Sequence, residues 1–535
     1  MTTRVALTAL LVALASRASA APEAFRCEAR GGSPWREYRT AHFLVDTDLS
    51  RDEAQGLAHE LEQLQALELQ ALLGEQVDIP GRLRVVAFRD PRQFRELAGA
   101  DVRAYYLPNA FDQAIVLQSE GLRVAPETVA HELAHHLSWF LFPHQARWFT
   151  EGLAQFVETA AKPRRAELAV TGTHLVRAGA EGSGGRWVGL APAAMAKAIR
   201  VVPLVEAEDL LTWRGSISHA EPSRFHLSSW LLYHYLWNKR SAELTEYQRR
   251  LSDGASPLEA WRAAFPGYDP DRPASLQPLD AELERYRRGG RFLAYAVALP
   301  NVEVTASERP LPSAEVHMLI ARARRAWPER RVDAQALLAA DVDEALREDA
   351  AQPLAIVERS RLDAAASPPA MARDAIRAAA AARRAPIGAL RAAVARRPDD
   401  WRGWYLLGRA LEEPAEVKER EACYRKAIAL EPDAGVAQSN LASLLVESGR
   451  AREALPFANR AVDLAPWNPQ FVDTLAVVAN ELGHCPQALR LARRALDELP
   501  PGSEAAHEVE RHLGAFERRC GTPAATSAAP LPERP

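Results

Sequence analysis

The sequence predicts an α+β domain followed by an all-α domain built from repeats. Three patterns along the 535 residues support this order. Short apolar segments alternate with helical periodicity between residues 40 and 120, helical periodicity dominates from 126 to 290, and a fixed period recurs in the last third of the chain. A small sheet followed by a run of helices is typical of an α+β domain.

The α+β region is expected to begin with a small mixed sheet. Its predicted strands are Ala41–Asp46, Arg82–Phe88 and Gln113–Gln118, with another near Tyr105-Tyr106 and an extended segment at Tyr295–Val304. Its predicted helices include Arg51–Gly74, Pro91–Ala98, Phe225–Lys239 and Leu244–Asp253, and a loop is expected at Gly179–Gly185. Gln113–Gln118 is either an edge strand open to an extended peptide or an ordinary inner strand.

The last third of the chain repeats every 34 residues. Proline, alanine, leucine and a small residue each recur at this step, at Pro398, Pro432, Pro466 and Pro500, at Ala393, Ala427, Ala461 and Ala495, at Leu407, Leu441 and Leu475, and at Gly408, Ala442 and Ala476. Small residues let paired helices approach, and a proline ends each unit. This pattern resembles tetratricopeptide repeats, which implies an all-α solenoid and a protein partner on its surface. A capping helix is expected at His507–Arg519.

The expected organisation has six parts. They are a signal peptide at 1–20, a mature N-terminal segment at 21–39, the α+β domain at 40–305, a helical connector or degenerate repeats at 306–380, the repeat domain at 381–520 and a disordered tail at 521–535. The first part has a basic residue, a short apolar run and Ala18-Ser19-Ala20, which is the layout of a secretory signal. Export to the periplasm or medium is therefore expected.

Charge and cysteine usage narrow the function further. Sixty-six basic and 70 acidic residues give a net charge of −4, which offers no attraction to nucleic acid or anionic membrane, and stable membrane insertion is not expected. The four cysteines form no CxxC pair. In an exported protein, Cys485 and Cys520 are the expected disulfide, with free buried thiols as the alternative.

The strongest chemical signal is His131-Glu132-Leu133-Ala134-His135, within a helix predicted between Pro126 and Pro143. Residues four apart share one helix face, so both imidazoles are able to bind one Zn²⁺ ion. Glu132 lies about 100° around the helix from His131 and need not be a ligand. It is placed to reach water beside the histidines, as in zinc peptidases with this motif.

A third ligand is expected from the next helix. Pro143 breaks the first helix, and a second one is predicted at Arg147–Ala160. Its Glu151 follows His135 by sixteen residues, and Gly152 beside it favours close packing of the helices. His144 in the intervening loop is the competing third ligand.

The stretches HELAH and WFTEGLAQF together resemble the gluzincin metallopeptidases, and most of all the peptidase-MA-like domains that sometimes precede tetratricopeptide repeats. The resemblance covers about residues 38–291. It implies a zincin-like fold, a zinc ion held by His131, His135 and Glu151, and Glu132 as the general base. It also points to His226 as the oxyanion donor. The roles of four further residues remain open. Glu158 is a neighbour of the ligands or a surface residue, and His136 is a neighbour of the ligands or a packing residue. Tyr233 and Tyr235 are alternative donors.

Three functions are compatible with these patterns. The favoured one is an exported zinc peptidase that cleaves a peptide or protein substrate and binds a protein through its repeats. The alternative is an inactive metallopeptidase-like adaptor. In a third interpretation His131 and His135 are structural helix residues, Glu132 is a solvated acid, and the whole chain is a binding protein.

Overall fold

The computed structural model describes most of the chain. The described residues are 23–98, 102–107, 113–118, 126–162, 174–176, 186–191, 195, 198–199, 201–213, 222–290, 292–325, 333–366 and 380–521. The predicted signal peptide, the predicted glycine-rich loop at 179–185 and the predicted tail beyond Gly521 lie outside them.

Nine strands are described. They are β1 (Trp35–Arg39), β2 (Phe43–Thr47), β3 (Leu83–Phe88), β4 (Ala104–Leu107), β5 (Ala114–Gln118), β6 (His174–Val176), β7 (Trp187–Val188), β8 (Phe292–Ala296) and β9 (Ser307–Leu311). Six of them form a mixed sheet in the order β4-β5-β3-β2-β1-β9. Strands β2, β3 and β5 are parallel, while β1, β4 and β9 run antiparallel to their neighbours. A second sheet has the order β6-β8-β7.

Four of these strands, β1, β6, β7 and β9, were not predicted. Strand β1 precedes residue 40 and β9 follows residue 305, so the sheet extends beyond the predicted 40–305 range on both sides. Strand β9 has the sequence SERPL, which has little strand propensity. Its proline is tolerated because, among the described strands, β9 pairs only with β1 at the edge, and the charged pair Arg309–Glu37 (2.8 Å) joins the two strands. Strand β8 also begins before the predicted segment 295–304.

The predicted strand Gln113–Gln118 lies inside the sheet. It corresponds to β5, which pairs with both β3 and β4, so the inner-strand alternative is correct. The edge beside it is β4, which pairs only with β5 among the described strands.

Twenty α-helices are described. They are α1 (Arg51–Leu73), α2 (Pro91–Ala98), α3 (Pro126–Leu141), α4 (Arg147–Val157), α5 (Ala207–Thr212), α6 (Pro222–Lys239), α7 (Ser241–Ser252), α8 (Pro257–Ala264), α9 (Gln277–Gly289), α10 (Ser313–Arg325), α11 (Ala334–Glu348), α12 (Pro353–Ala366), α13 (Ile387–Arg396), α14 (Trp401–Ala410), α15 (Val417–Leu430), α16 (Gly435–Glu447), α17 (Ala451–Leu464), α18 (Pro469–Glu481), α19 (Cys485–Asp497) and α20 (Glu504–Cys520). None of them combines the length and the apolar content that a membrane crossing requires. Helix α1 begins at the capping box Ser50–Glu53 and ends at Gly74, whose φ is +77°.

Helices cover both faces of the larger sheet. On one face, Val45, Val85 and Ile115 join the core formed with α1 and α3. On the other, strand residues including Phe88 pack against α2 and α10. Strands in the middle of such a sheet are apolar on both faces, which explains the apolar run from Val85 to Phe88 in β3.

The helices from α4 to α9 form a separate aromatic core. Its fully buried members include Trp148, Phe149, Trp230, Tyr233 and Trp261. Phe149 of α4 contacts Tyr233 of α6 edge-on, with ring centroids 5.7 Å apart. Large rings in contact fix the positions of α4 and α6, the two helices that contribute to the site described below.

The C-terminal region is a helical repeat, as the 34-residue period predicted. Helices α14 to α19 form three consecutive pairs, and α20 packs on the last pair where the capping helix was predicted. The alanine column is fully buried at 0–1% exposure. At Gly408 an added Cβ would lie 2.8 Å from the Tyr424 ring, so this position needs a glycine for the helices to pack. The predicted disulfide Cys485–Cys520 is present and joins α19 to α20.

The repeats pack against the α+β domain. Trp467, which follows α17, contacts Phe140 of α3 with ring centroids 4.8 Å apart, and His136 lies 6.5 Å from the same ring. A cavity of about 570 Å³ lies between the sheet and the inner helices of the repeats, and is lined by residues that include Val116, Tyr405 and Arg409. The repeats therefore share their inner surface with the sheet of the same chain.

A histidine–glutamate pair ties β2 to α1. His42 Nδ1 lies 2.6 Å from Glu62 Oε2, and the backbone N–H of His42 donates to Oε1 at 2.9 Å. The hydrogen bond to Glu62 raises the pKa of His42. Although burial opposes it, the hydrogen bond from His42 lowers the pKa of Glu62. Stability from His42 is lost as pH rises through its raised pKa, and stability from Glu62 is lost as pH falls through its lowered one.

We expect His42→Gln to destabilise the protein by about 1 kcal/mol near pH 6 and by much less near pH 9. The figure is modest because the His42 side chain is one-third exposed. Urea unfolding at the two pH values measures it, with His59→Gln on the exposed side of α1 as the control. An equal loss at both pH values would show that the charged pair does not contribute.

Candidate metal centre

Helices α3 and α4 bring three potential ligand atoms together. His131 and His135 lie one turn apart on α3, and the break at Pro143 returns the chain so that α4 packs on α3. The two Nε2 atoms are 3.2 Å apart, and Glu151 Oε2 lies 3.7 Å from His131 Nε2 and 3.8 Å from His135 Nε2. These are the three residues that the sequence predicted as ligands.

This triangle fits a tetrahedral zinc ion. Metal–ligand bonds of about 2.0–2.2 Å place tetrahedral ligand atoms roughly 3.3 Å apart, close to the separations found here. Two imidazoles and one carboxylate are also a donor set that zinc accepts at catalytic sites, where it keeps a fourth position open. The three side chains are partly exposed, so the centre is open to solvent.

Hydrogen bonds at Nδ1 orient both imidazole rings. His131 Nδ1 lies 2.7 Å from Glu158 Oε2, and His135 Nδ1 lies 3.0 Å from Thr150 Oγ1. A proton on each Nδ1 satisfies these hydrogen bonds and leaves the Nε2 lone pairs directed toward Glu151. Such partners fix the tautomer of a metal-binding histidine and strengthen it as a ligand.

The two histidines have opposite electrostatic behaviour. Burial disfavours a charge on His131, but the nearby carboxylate of Glu151 and the hydrogen bond to Glu158 raise its pKa well above the usual value. Burial lowers the pKa of His135 to about 4, against the attraction of Glu151. Although burial opposes it, the two histidines hold the pKa of Glu151 far below its usual range. The arrangement therefore favours one positive charge opposite an ionised Glu151.

Glu132 lies between the ligands and the edge strand β4. Its carboxylate accepts a hydrogen bond from the backbone N–H of Tyr106 in β4. Burial and the negative charge of Glu151 raise the pKa of Glu132 to about 7, against the attraction of His131. Its side chain is partly exposed, so it remains accessible to water beside the ligands.

His226 faces the centre from a third helix. It lies in the first turns of α6, its Nε2 is 3.6 Å from Glu151 Oε2, and its side chain is 38% exposed. Burial, opposed by Glu151, lowers the pKa of His226 and so favours the neutral ring.

The alternatives Tyr233 and Tyr235 are held elsewhere. Tyr233 is fully buried in the aromatic core, and its hydroxyl accepts from Gln248. The Tyr235 hydroxyl donates to Glu282.

Two other histidines near the motif do not join the three ligand atoms. His136 points away from the ligand atoms toward β4, where its Nδ1 lies 3.2 Å from the Tyr106 hydroxyl, and its ring contacts Phe140. Burial lowers the pKa of His136 to about 3. His144 lies in the loop between α3 and α4, and burial lowers its pKa to about 4.

Some site residues were not found from the sequence. Thr150 was not singled out, although it directly precedes Glu151 on α4, and the Tyr106 backbone became relevant only once β4 was placed. Glu68 of α1 is fully buried, and burial raises its pKa well above the usual value in the field of His131 and Glu158. Its carboxyl group makes no hydrogen bond within the described chain. The only sequence signal for Glu68 is its position among the buried residues of α1.

Gly152 allows a close approach, but of a different helix from the one expected. An added Cβ would lie 2.5 Å from Ser229 O and 2.8 Å from Tyr233 Cβ, both in α6. The glycine therefore sets the distance between α4, which carries Glu151, and α6, which carries His226.

No protein-family model and no curated protein sequence matches the chain. Among solved structures it is similar to TTC0263, a tetratricopeptide-repeat protein of Thermus thermophilus, with 15% identity, a TM-score of 0.28 and coverage of 37% of this chain and 98% of that one. It is also similar to MamA from Desulfovibrio magneticus, with 16% identity, a TM-score of 0.24 and coverage of 31% and 85%. A third is YrrB, a tetratricopeptide-repeat protein with an unusual peptide-binding site (16% identity, TM-score 0.25, coverage 37% and 92%). The identification of a helical repeat in this chain rests on the helix pairs α14 to α19.

We expect Gly152→Ala to destabilise the protein by about 2 kcal/mol, because the new methyl group meets the α6 backbone. The displacement of α4 also moves Glu151, so zinc affinity falls. Thermal unfolding and zinc titration measure the two effects. Gly56→Ala on α1, where an added Cβ meets nothing within 4 Å, is the control and should be neutral or stabilising.

Glu158→Gln is expected to lower zinc affinity roughly 10–100-fold, because the neutral amide supports the His131 ring less strongly. Competition with a zinc chelator measures this. Glu127→Gln, which alters a carboxylate of α3 paired with Lys162, should leave zinc affinity unchanged. Equal affinities for both variants and the wild type would remove Glu158 from the site.

Proposed function

We propose that the chain is a zinc-dependent peptidase, exported through the predicted signal peptide. The observation that carries this proposal is the triangle of His131 Nε2, His135 Nε2 and Glu151 Oε2, with separations of 3.2–3.8 Å, beside a partly exposed glutamate. The disulfide Cys485–Cys520 is compatible with an oxidising compartment outside the cytoplasm.

His131, His135 and Glu151 would hold the zinc ion. Bound there, zinc supplies a Lewis acid that polarises a carbonyl and lowers the pKa of water. Glu132 accepts a proton from water at its carboxylate and delivers it to the leaving amine. Its hydrogen bond from the Tyr106 N–H keeps this carboxylate oriented while leaving it open to solvent.

His226 and β4 would position the substrate. The neutral His226 ring is 38% exposed, and an N–H on it stabilises negative charge that develops on the carbonyl oxygen. Among the described strands, β4 lies at the edge of the sheet next to Glu132, so an extended peptide is able to add to the sheet there. Backbone pairing suits a peptide substrate because it does not depend on side-chain identity.

The repeats would bind a protein that delivers or regulates the substrate. Their inner helices share a cavity with the sheet, so the surface left for a partner includes the outer helices. The alternative function is an inactive adaptor, and the observation that favours it is the extent of the helical repeat relative to the catalytic helices. The two functions differ in whether Glu132 affects peptide cleavage.

We expect zinc-loaded wild-type protein to cleave members of a peptide library, and Glu132→Ala to cleave at least about 100-fold more slowly while it still binds zinc. Mass spectrometry of the products measures cleavage. Glu151→Gln should lose both zinc and cleavage, because it removes a ligand. Glu127→Gln serves as the carboxylate control. Equal cleavage by wild type and Glu132→Ala, or cleavage by neither, would support the adaptor.

A further inference from the structure

A second group of potential ligands lies away from the metal centre. His317 of α10 and Glu344 and Glu348 of α11 each offer one atom, and these three atoms lie within 4.8 Å of one another. His317 is fully buried at 0% exposure, and Glu344 is buried at 5%. The group lies where α10 and α11 pack together and where the N-terminal segment crosses them.

The tautomer of His317 is fixed by its neighbour. His317 Nδ1 lies 3.1 Å from Asp341 Oδ1, which also accepts from the Phe25 backbone N–H at 2.7 Å. Asp341 Oδ2 accepts from Arg324 Nε at 2.7 Å, so both oxygens of this carboxylate act as acceptors. The proton therefore lies on Nδ1, and Nε2 presents a lone pair. A carboxylate behind a histidine is the arrangement that orients metal-binding imidazoles.

This lone pair faces another acceptor. His317 Nε2 makes no hydrogen bond with any described residue, and the Glu348 Oε1 atom in front of it is 3.9 Å away, beyond hydrogen-bonding distance. Both carboxylate oxygens of Glu348 are also buried without a hydrogen-bond partner in the described chain. A buried lone pair opposite a buried carboxylate is unfavourable unless a cation lies between them.

Glu344 adds a second carboxylate at the same place. Its Oε2 atom accepts a hydrogen bond from Arg347 and lies 3.7 Å from Arg30 Nη1. These two arginines fix the position of the Glu344 side chain. An ion with bonds of about 2.0–2.2 Å places its ligand atoms roughly 3–4 Å apart. The 4.8 Å group therefore has to contract slightly, which rotation of the carboxylate side chains allows.

We propose that His317, Glu344 and Glu348 form a second, structural site for a divalent transition-metal ion of the zinc type. One imidazole and two carboxylates are a donor set that such ions accept. The ion clamps α10 to α11, and Asp341 connects it to the N-terminal segment through Phe25. Because α10 also packs on the larger sheet, the site stabilises the junction between the sheet and the helical connector.

Zinc counting on the full-length, metal-free protein tests this site. After saturation with Zn²⁺ and removal of excess ion, elemental analysis should find two zinc ions per chain in the wild type. Glu348→Gln and Glu151→Gln should each retain one, and the double variant none. Asp343→Asn, which changes an exposed carboxylate of α11, should retain two.

The outcome separates this site from the proposed peptidase centre. A count of one zinc ion in the wild type that persists in Glu348→Gln and is lost in Glu151→Gln would overturn the second site. In that case a proton, and not a metal ion, lies between His317 and Glu348. Absence of peptide cleavage has no effect on the count.

Thermal unfolding provides a readout that does not require recovery of the ion. Zinc should raise the unfolding midpoint of Glu151→Gln but not that of the double variant. Equal midpoints with and without zinc in Glu151→Gln would also overturn the proposal.

Discussion

The close approach of α4 and α6 at Gly152 is the constraint on which the candidate metal centre depends. No side chain fits between residue 152 and the α6 backbone, and the buried rings around them prevent either helix from shifting. Glu151 and His226 meet only because the two helices are this close. A position that carries no chemistry therefore sets the geometry of two that do.

A second layer of polar groups is needed because the ligands alone do not define a geometry. An imidazole on a helix can rotate and can carry its proton on either nitrogen. Glu158 and Thr150 remove that freedom, and both come from the chain that follows the break at Pro143. Glu158 is within reach because α4 ends at Val157 and a 3-10 turn follows, where a longer helix had been predicted. The helix end is thus part of the site.

Local patterns predicted much of this molecule. The bounds of α1 and α2 follow from a cap, a leucine stripe and a proline, and the repeat follows from its period. The approach of His131, His135 and Glu151 could be predicted because the helix, the break and the next helix are consecutive in sequence. Pairings between distant segments could not be predicted in this way.

Two pairings show why. Strand β9 is polar and contains a proline, and only its partner β1, far away in sequence, makes it a strand. The group around His317 likewise combines the N-terminal segment with α10 and α11. Each of its residues is ordinary in its own helix, so no local pattern connects them.

The contact of Trp467 with α3 has a thermodynamic consequence. His136 and Phe140, which meet Trp467, lie on the helix that carries both histidine ligands. If the centre holds a metal ion as proposed, a protein that binds the repeats and shifts Trp467 changes the free energy of that helix, and so changes its affinity for the ion. Linkage requires the reverse effect to be equal, so metal loading alters the affinity for that protein by the same factor. Binding of a protein to the repeats and binding of a metal ion to the centre would then be coupled equilibria.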